Sequence, residues 1–319
     1  MKIYLILIFL LTGGFAEAQT RIPRVAILVQ DLGRAQTQAI KGLSAELKQL
    51  GYKERKNVFL ETRNAKGDRS ALQAAAKELA AKKVDVIFTP GTRATLAASA
   101  ATREIPLVFA HPGDPIALGL VKISDPARNI TGVAAYAAET TEKRLALFKQ
   151  ILPALTKIYV FFDANSSFSR DRVALTESAA KKLAVQFVGH GIKSSDELKT
   201  TLANLNNEAG AAIFQITDDL VESEAGFVFA TARQKKLPTM FNEEAWAIEG
   251  ATAAYGPSYF EMGRHAGRMV DQIVKGTAPA AIAIGRTTKF DLTINYRAAK
   301  YIGVELPAEL LKKADKVIR

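Results

Sequence analysis

The chain reads as an α/β protein built as two doubly wound lobes joined by a hinge. Three observations predict this. Short apolar runs rich in β-branched residues alternate with amphipathic stretches along the chain. Two such series follow one another. And 319 residues supply about two domains at roughly 150 residues each.

The first series opens at 24–29 (RVAILV), a continuous apolar run of the kind expected in a strand covered on both faces. Residues 36–50 then place Ile40, Leu43, Leu47 and Leu50 on one helical face, and Gly51 ends the helix. A second strand is expected at 58–63. Ser70 is the expected cap of a helix carrying Leu72, Ala76 and Leu79. A third strand follows at 84–88, a helix of small residues from Thr92 to about 101, a fourth strand at 105–110 and a fifth at 130–134. Strand and helix in this alternation imply a parallel sheet with helices on both faces.

The second series begins with a helix over 139–152, stopped by Pro153. Strands are expected at 157–162, 184–188, 211–216, 237–241 and 252–255, with helices at 169–182, 195–206 and 259–275. No repeat relates the two series. No linker rich in Pro, Gly or Ser separates them, so the lobes are expected to sit close together with a cleft between.

The amino terminus carries its own signal. Lys2 precedes an uncharged apolar run at 3–11, and Ala16-Glu17-Ala18 forms a small-x-small site before Gln19. The run is shorter than the roughly 20 residues that cross a bilayer as a helix. Residues 1–18 therefore read as a cleaved signal peptide and the mature chain as exported, best suited to a Gram-negative periplasm. Cysteine is absent, which excludes disulfides, thiolate chemistry, Cys-ligated metal and a cysteine-linked lipid anchor. The charge of +11 raises nucleic acid as a partner. Export argues against it. Pairs such as Lys82-Lys83, Lys181-Lys182 and Lys312-Lys313 are dispersed over helices without interleaved aromatics, so a solvated basic exterior is expected.

In open α/β sheets ligands bind beyond the carboxyl ends of the strands. Those loops supply the candidate ligand contacts. In the first lobe they are Gln30 and Asp31; Thr89, Gly91 and Thr92; and His111 and Asp114, with Tyr136 near a lobe crossing. The second lobe offers Asp163 and Asn165, Asp218, Asn242 and Tyr255. Thr89, Gly91 and Thr92 are expected to hold an anionic end of the ligand, helped by a helix N-terminus. Asp114 would shape the rim, Asp218 and Asn242 would hold a cationic or polar end, and Asp163 or Asn165 would close the cleft.

Enzyme signatures are scarce. The chain has no G-x-G-x-x-G, P-loop, H-E-x-x-H or G-x-S-x-G pattern. His111, His190 and His265 lie too far apart in sequence to suggest a metal pair. No catalytic residue, cofactor or metal is expected.

Several short stretches share an order that is more specific than any one of them. They are Gly42-Leu43 through Leu50-Gly51-Tyr52, Val84-Asp85-Val86-Ile87 leading to Gly91-Thr92, and Ile105-Pro106-Leu107-Val108-Phe109. Gly113-Asp114-Pro115 with Leu118-Gly119-Leu120-Val121, Asn129-Ile130-Thr131-Gly132-Val133 and Tyr255-Gly256-Pro257-Ser258 continue the series. Thr288-Lys289-Phe290, Ile294-Asn295 and Ala298-Ala299-Lys300 complete it. On these the chain resembles the ABC-transporter substrate-binding family whose members include binders of tryptophan and other aromatic amino acids.

The resemblance implies a type I periplasmic binding fold: two Rossmann-like lobes, three crossovers and closure around one ligand. It places 19–134 plus 257–283 in the first lobe and 135–256 plus 284–319 in the second. It also implies a monomer that carries an amino acid or small carboxylate to an ABC permease, or, as the alternative, a sensor subunit that presents the ligand to a receptor. Two loops depart from the family pattern. Gln30-Asp31-Leu32-Gly33 stands where relatives are often Ser-rich, and Asp163-Ala164-Asn165 where they often carry Asn-Pro.

Overall fold

The computed structural model describes residues 21–111, 113–116, 118–121, 129–136 and 140–319, with Phe168 and Asp219 described by their backbone only. The expected signal peptide lies outside the described residues. The first lobe runs through β1 (Arg24–Val29), α1 (Arg34–Gln49), β2 (Phe59–Asn64), α2 (Arg69–Ala81), β3 (Val86–Thr89), α3 (Thr92–Ala101), β4 (Leu107–His111) and β5 (Ile130–Ala134). The second begins with α4 (Thr141–Ile151), β6 (Lys157–Asp163), α5 (Ser167–Lys182), β7 (Gln186–Ile192), α6 (Ser195–Ala203) and β8 (Ala211–Phe214). It continues through α7 (Asp219–Ser223), α8 (Ala225–Gln234), β9 (Thr239–Phe241), α9 (Glu244–Glu249) and β10 (Ala253–Pro257). The remainder is α10 (Tyr259–Val274), β11 (Gly285–Arg286), β12 (Phe290–Asn295), α11 (Tyr296–Tyr301), α12 (Ala308–Lys313) and β13 (Lys316–Ile318).

The strands form two sheets, ordered β11-β5-β4-β3-β1-β2 and β13-β12-β10-β9-β8-β6-β7. Alternation along each strand explains why both faces are covered. Val25, Ile27 and Val29 pack with Leu43, Leu47, Met262 and Val270 on one face of the first sheet. Ala26 and Leu28 pack with Leu72, Leu79 and Ala98 on the other. In the second sheet Ile158 and Val160 meet Leu145 and Phe148, while Tyr159 and Phe161 meet Leu198, Leu202 and Phe229.

Local corrections have local causes. Asp68, not Ser70, caps α2: its Oδ1 accepts the Ser70 and Ala71 amides at 2.7 and 3.0 Å, a carboxylate at the positive end of the helix. The short strands of 284–319 escaped the alternation argument. Gly285 and Arg286 pair with Val133 and Ala134, so they belong to the first sheet, although the sequence reading assigned 284 onward to the second lobe. The chain crosses after them and returns as β12, which pairs antiparallel to β10 in a sheet whose other ladders are parallel.

That correction builds the hinge. The crossings lie side by side and bond to one another: Thr287 N donates to Ala134 O, and Ser258 N to Lys289 O, each at 3.0 Å. Phe290 packs into the cores of both lobes and stacks on Tyr255 at 5.8 Å.

In the first lobe α1 and α10 are clamped by a buried charge. Glu46 is 4% exposed, and its carboxylate accepts from Arg264 Nε at 2.8 Å and Arg268 Nη1 at 2.9 Å. Burial opposes its ionisation. The hydrogen bonds and charges of the two arginines outweigh burial and hold the carboxyl below its ordinary range. A group whose folded pKa is depressed contributes stability that is present above its unfolded pKa and lost as pH falls through the folded one. Glu46→Gln is therefore expected to lower stability by about 2 kcal/mol near neutrality, less than a fully buried pair because both arginines are partly exposed. Thermal melts of the variant and the parent should converge as pH falls from about 6 to about 3.

Candidate functional site

The carboxyl ends of both sheets face the crossings, and the expected ligand residues lie there. Their side chains have unequal freedom. Thr89 is fully buried and its hydroxyl meets that of Thr95 at 2.9 Å, while Thr95 Oγ1 also donates to Gly91 O at 2.8 Å. The two threonines build the β3–α3 turn rather than present hydroxyls to a ligand. Gly91 has φ +140° and caps α3 without a side chain, a conformation that favours glycine. Gly91 and Thr92 remain half-buried at the N-terminus of α3. Asp31 is exposed and accepts the Leu32 amide. Gln30 donates to Gly67 O at 3.3 Å and lines a groove between α2 and α3 with Arg69 and Arg93.

His111 is fully buried, stacked on Phe109 at 4.6 Å. Neither ring nitrogen has a partner at hydrogen-bonding distance. Burial pushes the imidazole down to about 4, only partly opposed by the Gly113 backbone and the Asp114 carboxylate. It is a buried imidazole at the end of β4 whose surroundings favour the neutral form. Asp114 Oδ1 accepts the Ile116 amide at 2.8 Å and shapes its own loop. Tyr136 has φ +50° and lies under the Arg286 guanidinium, 4.7 Å from ring centroid to Cζ.

In the second lobe Asp218 departs furthest from expectation. It is 2% exposed, and its carboxylate accepts from Asp163 N at 2.7 Å, Ser169 Oγ at 2.6 Å and Val221 N at 3.1 Å. Those oxygens tie together the end of β6 and the starts of α5 and α7. A ligand ammonium would have to compete with all three donors. Asp163 turns its own Oδ1 to the Asn165 amide at 2.8 Å, and Asn165 is exposed. Trp246 packs between Phe229 and Phe241 in the core.

Asn242 and Tyr255 do come together. They line one recess with Thr140, Thr141, Arg144, Arg172, Ile216 and Thr217. Asn242 Nδ2 donates to Thr217 Oγ1 at 2.9 Å, while its buried Oδ1 has no partner. Arg144 was not among the expected contacts, yet it is 5% exposed. Its Nη2 donates to Gln215 O at 2.6 Å and its guanidinium lies 4.5 Å from the Phe214 ring centroid. The signal was available. Thr141, Arg144, Leu145, Phe148 and Ile151 are the buried face of α4, and an arginine within an apolar stripe marks a buried charge. Arg172 carried no comparable sign.

Between the lobes, Tyr259 Oη donates to Glu243 Oε1 at 2.7 Å, and burial pushes the Glu243 carboxyl up. Arg34 and Gln38 of α1 share a recess of about 90 Å³ with this pair. The molecule thus holds two α/β lobes, three adjacent crossings and polar side chains buried without partners at strand ends of both lobes.

The profile of the ABC transporter substrate binding protein family matches residues 24–318. The chain belongs to that family. Among curated relatives, a tyrosine-binding protein of Clostridioides difficile is 28% identical over 282 residues, covering 87% of this substrate-binding protein and 81% of the relative. A conserved domain protein from Vibrio cholerae O1 biovar El Tor superposes with TM-score 0.79 at 25% identity, covering 93% of this chain and 100% of that one. An ABC domain in complex with L-Trp from Streptococcus pneumonia superposes at 0.78 with 24% identity, covering 93% and 99%. This substrate-binding protein therefore has the type I periplasmic binding architecture that its sequence resembles. Among the described residues no helix is long and apolar enough to cross a membrane.

Proposed function

We propose that the protein is the exported solute-binding component of an ABC importer, capturing an amino acid with an aromatic side chain between its lobes and delivering it to a membrane permease. The observation that carries this reading is the family match across both lobes of a scaffold whose crossings lie side by side. The relative named as a tyrosine-binding protein supports an aromatic amino acid. The basic, apolar and small-x-small pattern of residues 1–18 supports export with cleavage before Gln19. A ligand that touches both lobes stabilises the closed form by its differential affinity for closed over open. The closed form is the species that docks on the permease, and the chain works as a monomer.

Native mass spectrometry and a thermal-shift panel of the twenty amino acids test the reading on the mature chain. A ligand at about 100 times its Kd adds about 2.7 kcal/mol, a rise of several degrees for a protein of this size. L-Tyrosine, L-tryptophan or L-phenylalanine is expected to produce that rise. No shift with any amino acid would reject the proposed ligand class.

A further inference from the structure

We infer that the ligand's anionic group is seated on the second lobe, in the recess walled by Arg144, Arg172, Thr217 and Asn242, so that the substrate class is a carboxylate gripped by guanidinium groups. This rests on the solute-binding reading above and specifies which end of the ligand goes where. It reverses the sequence expectation, which put the anion on the first lobe.

Arg144 stands in the first turn of α4, where the helix dipole disfavours a cation. It is also buried, and burial pushes it down to about 9, with Glu222 opposing that fall and Arg172 adding to it. Two unfavourable placements of one charge call for a compensating anion. Gln215 O and the Phe214 ring satisfy part of the guanidinium, but Nε is buried without an acceptor. A carboxylate supplies that acceptor in a strong, charge-assisted form.

Arg172 lines the same recess from α5 and is likewise pushed down, to about 10, by burial. The opposing acids are Glu222, Asp171 and Asp218. Asp171 is exposed. Asp218 is committed to three donors. Glu222 accepts from Gln215 Nε2 at 2.9 Å.

The recess has about 10 Å³ of free volume, room for about one water, so one carboxylate oxygen reaches into it while the rest of the ligand lies in the cleft. Asn242 Oδ1 offers an acceptor for an ammonium beside the carboxylate. The first lobe has no equivalent buried cation among the residues expected to hold the anion: Thr89 is spent on Thr95, leaving Gly91 and Thr92.

Titration calorimetry of the mature chain with L-tyrosine, L-tryptophan, L-phenylalanine, tyramine, L-tyrosinamide, phenylacetate and succinate tests this. L-Tyrosine is expected to bind, and the two analogues without a carboxylate to bind at least about 100-fold more weakly. Arg172→Gln is expected to cost at least about tenfold in L-tyrosine affinity. Should that variant fail to fold, Arg172→Lys and the analogue series on the parent chain decide. Tyramine or L-tyrosinamide binding within about threefold of L-tyrosine overturns the inference and leaves the amino-acid reading standing. So does unchanged L-tyrosine affinity in folded Arg172→Gln. Binding of phenylacetate or succinate but of no amino acid, lost in the arginine variants, upholds the inference and rejects the amino-acid ligand. Binding of no carboxylate at all overturns both.

Discussion

Gly263→Ala is expected to destabilise the first lobe by about 3 kcal/mol or more, lowering the melting temperature by roughly 10 °C. A methyl group at this position of α10 would stand 2.0 Å from the carbonyl oxygen of Ala39 in α1. Gly42 of α1 is placed reciprocally, with its added carbon 2.0 Å from Phe260 O. Both obstacles are backbone atoms, so no rotamer change relieves them. The helices must separate, and separation also stretches the Glu46 contacts to Arg264 and Arg268. Gly226→Ala provides the control: it lies within α8, with nothing near the added carbon, and alanine is the better helix former. Differential scanning calorimetry of the two variants should give opposite signs. Equal melting temperatures would show that α1 and α10 can part at little cost.

Asp218→Ala is expected to cost about 3 kcal/mol in the second lobe. It strands the amides of Asp163 and Val221 and the Ser169 hydroxyl in a place water does not reach. Hydrogen bonds to a charged acceptor are worth about 1.5–3 kcal/mol each, and leaving buried donors unmet removes most of that. Because the three donors share one carboxylate, their losses do not add fully. The sequence reading, which gives Asp218 to the ligand, makes a different prediction for the same variant: ligand binding weakened by more than about tenfold. Thermal melts separate the two. A large drop in melting temperature supports the internal clamp; an unchanged melt with lost binding restores the ligand contact.

Most of the architecture was legible because it rests on local rules. The strand at 24–29 and the helix from Thr92 agree with β1 and α3 to within a residue or so. A run such as RVAILV is too short for a buried helix and rich in β-branched residues, which together mark a strand covered on both faces. Local rules fail where a segment is defined by its neighbour. β11 is two residues long and carries no periodicity of its own. It is a strand only because Val133 and Ala134 lie beside it, and with it goes the position of the third crossing.

The candidate site was legible at coarser grain. The loops at the strand ends were identified, because a parallel sheet leaves its carboxyl ends and helix N-termini open. Which side chains there are free was not. Thr89 and Asp218 have the right chemistry for a ligand, but Thr95, Ser169 and two backbone amides reach them first. Sequence shows a group's chemistry and not its competitors.

The charge of +11 illustrates the division. Composition and periodicity predicted the two-lobe α/β chain, and the leader pattern supports its proposed export, since each is a property of consecutive residues. Tertiary packing alone decided that two of those cations, Arg144 and Arg172, line a recess at the strand ends, and that Asp218 is closed to solvent. A side chain's freedom depends on donors and acceptors brought near it from distant parts of the chain, and those are in place only once the sheets have formed.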